Sequence, residues 1–144
     1  MSKRIELYPG LFLDEYIPKD LYLKFENKPQ ILIGALDEKL LKADFLLRTC
    51  FGPVIINNWW NGGQFNERGL RNPFTTTGAA MSQHKFGRAS DKSFTKATAE
   101  EVREYIKIHW KELGITCIED EVSWVHSDVR YVLNQTELLI VPKT

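Results

Sequence analysis

Apolar residues recur along this chain in two helical patterns and several short runs, separated by a long polar stretch. Leu40, Ala43 and Leu47 share one face behind Asp37, which predicts a capped helix over roughly 38–49, stopped by Gly52-Pro53. The second pattern is stronger. Thr98 and Glu101 have capping-box spacing, Val102, Ile106, His109 and Leu113 form a stripe, and Gly114 ends it. Ile31 to Leu36 is a short apolar run, and Val54-Ile55-Ile56 reads as a buried strand. Ile115–Ile118, Trp124–Val129 and Leu138–Val141 predict further strands, antiparallel because the segments joining them are short. Residues 1–30 are rich in Pro, Gly and aromatic side chains, with a turn at Tyr8-Pro9-Gly10, and read as a mostly irregular arm laid over a single domain of residues 31–144. The expected class is α+β: a small antiparallel sheet with two main helices.

Between the two helical patterns, Asn57 to Met81 has the composition of a loop, and one this long in a small domain is usually functional. It contains Trp59 and Trp60, which fit either a cleft wall or a loop anchor. A length of 144 residues with 43% hydrophobic and 12% aromatic content fits one folded domain. Basic and acidic residues number 19 each, so the charge gives no reason to expect nucleic acid or an anionic membrane as partner. No run approaches the roughly 20 apolar residues of a membrane span, and Glu6, Pro9, Gly10, Asp14 and Glu15 interrupt any apolar segment of a leader. The expectation is a protein that is cytoplasmic where it is made. Cys50 and Cys117 lack zinc-finger spacing and are expected as buried, reduced thiols.

Candidate chemistry concentrates in two segments, Ser82-Gln83-His84-Lys85-Phe86-Gly87-Arg88-Ala89-Ser90-Asp91 and Trp124-Val125-His126-Ser127-Asp128. Two imidazoles and a carboxylate, His84, His126 and Asp91, form an N,N,O set that suits Zn²⁺ and leaves a fourth position open, as a catalytic zinc requires. His84 and Asp91 would lie across a turn where Gly87 and Ala89 leave room, and His126 would come from an adjacent strand. Asp128 shares a strand face with His126 and could orient its ring. His109, on the apolar stripe, reads as structural.

The pattern Ser-x-His-x-x-Gly-x-Ala-x-Asp, followed by Trp-x-His, resembles the zinc D-Ala-D-Ala carboxypeptidase and L-Ala-D-Glu endopeptidase family, whose fold is shared with the hedgehog signalling domain. Ser82, His84, Gly87, Ala89, Asp91, Trp124 and His126 carry the match, which spans roughly residues 38–130. The resemblance implies that His84, Asp91 and His126 hold zinc and that the substrate is the peptide stem of bacterial peptidoglycan. Arg68-Gly69-Leu70-Arg71 partly matches the family's Ser-Gly-Tyr-Arg element, which puts Arg71 at the arginine that steadies the substrate carbonyl or carboxylate. Many members place a general-base glutamate three residues before the last histidine, where this chain has Ser123; Glu119 or Glu121 would take that role. A small one-domain enzyme of this kind resembles a bacteriophage lysis enzyme or virion-borne wall hydrolase, attached in some cases to other phage proteins. The alternative is a non-catalytic zinc-stabilised structural or binding domain, such as a virion component.

Overall fold

The computed structural model describes residues 3–142; the extreme ends of the expected arm and domain lie outside the described residues. In chain order the elements are β1 (Glu6–Tyr8), β2 (Leu11–Phe12), α1 (Lys19–Phe25), α2 (Pro29–Ile33), α3 (Glu38–Phe51), β3 (Val54–Ile55), β4 (Ala89–Phe94), α4 (Ala99–Leu113), β5 (Cys117–Glu119), β6 (Val125–Asp128) and β7 (Leu139–Val141), with 3-10 turns at Leu13–Glu15, Trp59–Asn61 and Gln83–Phe86. The class is α+β, and no helix among the described residues is long and apolar enough to cross a membrane.

The two expected helices are α3 and α4. Asp37 caps α3 by accepting from the Lys39 amide at 2.9 Å, and its inward face buries Leu40, Leu41, Ala43 and Leu47. The capping box of α4 closes as expected, with the Glu101 amide donating to Thr98 Oγ1 at 3.1 Å and the Thr98 amide to Glu101 Oε1 at 3.3 Å. Val102, Ile106 and Leu113 are core residues. His109 is not: it sits at the edge of the stripe, against the Tyr105 ring and 3.3 Å from Glu112. Arg103 is buried instead, and its guanidinium donates to the carbonyls of Val122 and Trp124, fixing the approach to β6.

The first 30 residues differ from the expected irregular arm. They form a hairpin turning at Gly10 (φ 80°), a 3-10 turn and a helix that enters from Pro18, while Pro29 starts another. Proline there occupies helix starts, where its missing amide costs nothing, so the residues read as breakers are initiators. Leu11, Leu13, Tyr16 and Ile17 are fully buried and belong to the core.

The main sheet has the order β3-β4-β6-β5-β7 and is mixed, not purely antiparallel. β7 pairs parallel to β5, because residues 129–138 carry the chain back along the sheet before it enters. That return is held where Thr116 Oγ1 donates to the Arg130 carbonyl and Gln135 Nε2 to the Thr116 carbonyl. β4, unexpected as a strand, lies inside the sheet between β3 and β6. Its polar sequence, Ala-Ser-Asp-Lys-Ser-Phe, hides the alternation because buried polar side chains occupy both faces. α3 and α4 cover one face, packing Ala43, Leu47, Val102 and Ile106 with Ile118 and Val125. Trp59 and Trp60 anchor the long loop: they pack edge-to-face with Tyr22, and Trp59 Nε1 donates to the Ile17 carbonyl at 2.9 Å. Cys117 is buried and Cys50 exposed, in contrast to the expectation for Cys50, because it lies on the outward side of α3 within 3.3 Å of the Tyr105 hydroxyl; neither forms a disulfide.

Candidate metal centre

Pleat alternation decides which side chains meet. The antiparallel register of β4 and β6 sets Asp91 opposite His126 and Ala89 opposite Asp128. β5 adds Cys117 opposite Asp128, so Glu119, two residues on, shares that open face of the sheet. His84 arrives from the preceding turn. Ser82 Oγ accepts the His84 amide at 3.3 Å, and the turn ends at Gly87 in a left-handed conformation (φ 69°). A Cβ at Gly87 would also overlap the Ala35 carbonyl, so both backbone conformation and space demand glycine there.

The result is a buried group in which one donor atom each from His84, Asp91 and His126 lie within 4.8 Å of one another, an arrangement that could hold a metal ion. His84 Nε2 is 3.3 Å and His126 Nδ1 2.8 Å from Asp91 Oδ1. The first spacing is what neighbouring ligands around a tetrahedral zinc require, roughly 3.3 Å; the second is a hydrogen bond.

Each imidazole is oriented from behind. His84 Nδ1 lies 2.8 Å from the Gly69 carbonyl, which only accepts, so Nδ1 donates there and Nε2 is the nitrogen turned to the centre. Gly69 can stand there because it packs directly on the Tyr16 backbone, where a Cβ would collide. His126 Nε2 lies 2.8 Å from Asp128 Oδ2, and Arg130 grips the same carboxylate with Nε at 2.8 Å and Nη2 at 2.7 Å. Burial opposes the charge on Asp128, but the bonds from Arg130 and His126 outweigh it and hold its pKa at about 2. Asp128 therefore accepts, the His126 proton sits on Nε2, and Nδ1 faces Asp91. Burial again opposes charge, yet Asp128 and Asp91 raise the His126 pKa to about 9, so Nδ1 carries a proton as well. Asp91 is also pushed two ways, and its bonds to His126 and His84 overcome burial to hold it well below the usual carboxylate range.

The structure brings Glu119 to the group, with Oε2 3.4 Å from His126 Nδ1. It does not bring Glu121, which is exposed at a left-handed turn position (φ 63°), nor Ser123, which is also exposed. Arg71 does reach the centre: Nη2 is 3.3 Å from Asp91 Oδ2, and Nε donates to the Glu67 carbonyl at 2.8 Å. Its backbone amide donates to the His84 carbonyl at 3.1 Å. Three carboxylates thus surround His126, while Arg71 and Arg130 are the two guanidinium groups held against them. The charges balance when His126 carries its second proton, and a metal cation at the centre would take that proton's place.

Two depressions open on the centre, an inner one of about 190 Å³ and an outer one of about 490 Å³. Arg71, Thr77, Asp91 and Trp124 line both, so they form one trough. Arg130, Thr77 and the Gly69 carbonyl belong to the centre without any motif in the sequence marking them. Only Arg130 left a signal, since the i, i+2 spacing from Asp128 puts both on one side of an extended strand. No protein-family model, curated protein or solved structure matches the chain.

Proposed function

We propose that the protein is a zinc-dependent peptidase that hydrolyses peptide bonds in the stems of bacterial peptidoglycan, with His84, Asp91 and His126 as zinc ligands. The observation that carries the reading is the convergence of His84 Nε2, Asp91 Oδ1 and His126 Nδ1, with both imidazole tautomers fixed by acceptors behind them. The motif resemblance to the zinc D-Ala-D-Ala carboxypeptidase and L-Ala-D-Glu endopeptidase family supports both metal and substrate class, and with it a hedgehog-like fold and a phage origin. Three protein ligands suit a catalytic zinc, which supplies Lewis acidity and lowers the pKa of water to about 7.

Glu119 accepts the proton of the attacking water. It reaches the centre from β5, the strand beside His126, and so fills from the neighbouring strand the role that Ser123 cannot. Arg71, lining the trough against Asp91, stabilises the developing oxyanion. Zinc-loaded protein is expected to release peptide fragments from purified peptidoglycan. Glu119→Gln should lower that rate by about 10²–10⁴-fold with zinc retained, and Glu121→Gln should leave it unchanged. Stoichiometric zinc with no peptide released would overturn the enzyme reading. That result would favour the alternative, a zinc-stabilised structural or binding domain, for which the exposed Ser123 in the expected base position speaks.

A further inference from the structure

Two arginines line the outer part of the trough, and their side chains are committed differently. Arg71 is engaged by Asp91 and by the Glu67 carbonyl. Arg68, three residues earlier, donates once, from Nη2 to Ser93 Oγ at 3.2 Å, and its guanidinium lies over the Phe65 ring at 4.1 Å. Nη1 is shielded from solvent and has no hydrogen-bond partner. Among the described residues no carboxylate forms an ion pair with Arg68. The nearby Glu67 carboxylate accepts instead from the Thr75 hydroxyl at 3.1 Å. Burial pulls the Arg68 pKa down from its ordinary value, with Asp91 as the opposing influence.

A partly buried guanidinium whose Nη1 is shielded from solvent and unpartnered is costly to keep unless something completes it. Its backbone ties it to the centre as well, because the Arg68 carbonyl accepts the Asp91 amide at 2.7 Å. A group held by Arg68 would therefore be in fixed register with the metal ligand. A planar fork of N–H donors stacked on an aromatic ring suits a carboxylate better than a neutral amide.

We propose that Arg68 is a specificity-determining residue that anchors a free carboxylate of the ligand in the outer trough, so that the site takes acidic peptides and rejects their amidated forms. This rests on the peptidase reading for the kind of peptide and not for the anchor itself. A stem peptide offers two carboxylates, at its C-terminus and on the α-carbon of its D-Glu residue, and either presents the same chemistry to Arg68.

The test is an NMR titration of zinc-loaded protein, which reports binding and hydrolysis separately. The probes are the tetrapeptide L-Ala-γ-D-Glu-L-Lys-D-Ala, its C-terminal amide and its D-isoglutamine form. One amidation is expected to weaken binding to the wild type by about tenfold or more. Arg68→Gln should bind the acid as weakly as that amide, and Arg68→Lys should recover part of the preference, with zinc content and melting temperature confirming that both variants fold. Equal binding of all three peptides by the wild type would overturn the proposal. So would an undiminished preference in Arg68→Gln, or no binding of any probe by zinc-loaded protein. Acid preference without hydrolysis would uphold the anchor while the peptidase reading fails.

Discussion

β4 and β6 carry a buried polar cluster on each of their two faces, and the clusters balance their charge in different ways. Behind the sheet, Lys92 is fully buried and donates to the Ser90 carbonyl, Ser90 Oγ and Ser127 Oγ, at 2.7–3.0 Å, with Asp44 Oδ1 3.2 Å away. Asp44 Oδ2 accepts from Tyr16 and Ser90 hydroxyls at 2.8 and 2.7 Å. One cation meets one anion, and both come from the chain. In front, Asp91, Asp128 and Glu119 gather around His126, and two imidazole nitrogens aim into the same space. The rear cluster closes its ion pair within the chain, with Asp44 Oδ1 facing Lys92 but accepting no hydrogen bond. The front one balances through the second proton of His126, a charge that a metal ion could supply instead, which separates a structural network from a site that could receive an ion.

Removing the rear cation should have the largest effect. Lys92→Met leaves Asp44 charged, buried and without its ion pair, and should cost about 3–5 kcal/mol of folding stability. Denaturant unfolding should show the same loss with and without zinc. A variant with wild-type stability would mean that the rear cluster is not a closed ion pair.

His126→Ala reverses that pattern. The variant should lose zinc, and with it the stabilisation zinc gives the wild type, about 2.7 kcal/mol when free zinc is 100 times its dissociation constant. Thermal melts of wild type and variant with added zinc and with chelator would show this. A melting temperature of the wild type that ignores both additions would remove the distinction between the two faces.

Much of the front cluster is legible in the sequence because its spacing is unusual: His84, Asp91 and His126 stand out together, and the pleat places Asp128 beside His126. The rear cluster was not legible. Ser90, Lys92 and Ser127 are ordinary surface residue types, and only the burial of β4 between two strands turns them inward. The choice between Glu119 and Glu121 was equally hidden, since it depends on β5 lying next to β6 and on Glu121 turning away in a left-handed conformation. The N-terminal segment is hidden for the same reason: local composition suggests a loose arm, whereas Tyr16 reaches across the fold to Asp44. Helix caps and the His84–Asp91 spacing are local and can be read; strand order and the pairing of distant polar groups are not.

A finer test lies at the boundary of the front cluster. Asp128 is fully buried and touches no metal position directly, acting only through His126 Nε2. Asn in its place is nearly isosteric but neutral. If its amide oxygen turned to His126 Nε2–H, its NH₂ would meet Arg130, a donor facing a donor. If instead its NH₂ turned to His126, Nε2 would have to accept and the ring proton would move to Nδ1, the atom that faces the centre. Either outcome weakens metal binding without removing a ligand. Asp128→Asn should therefore lower zinc affinity by about 10–100-fold, as competition titration with a chelator would measure. Unchanged affinity would mean that the His126 tautomer is set by the metal alone, and that the carboxylate behind it belongs with the structural network and not with the site.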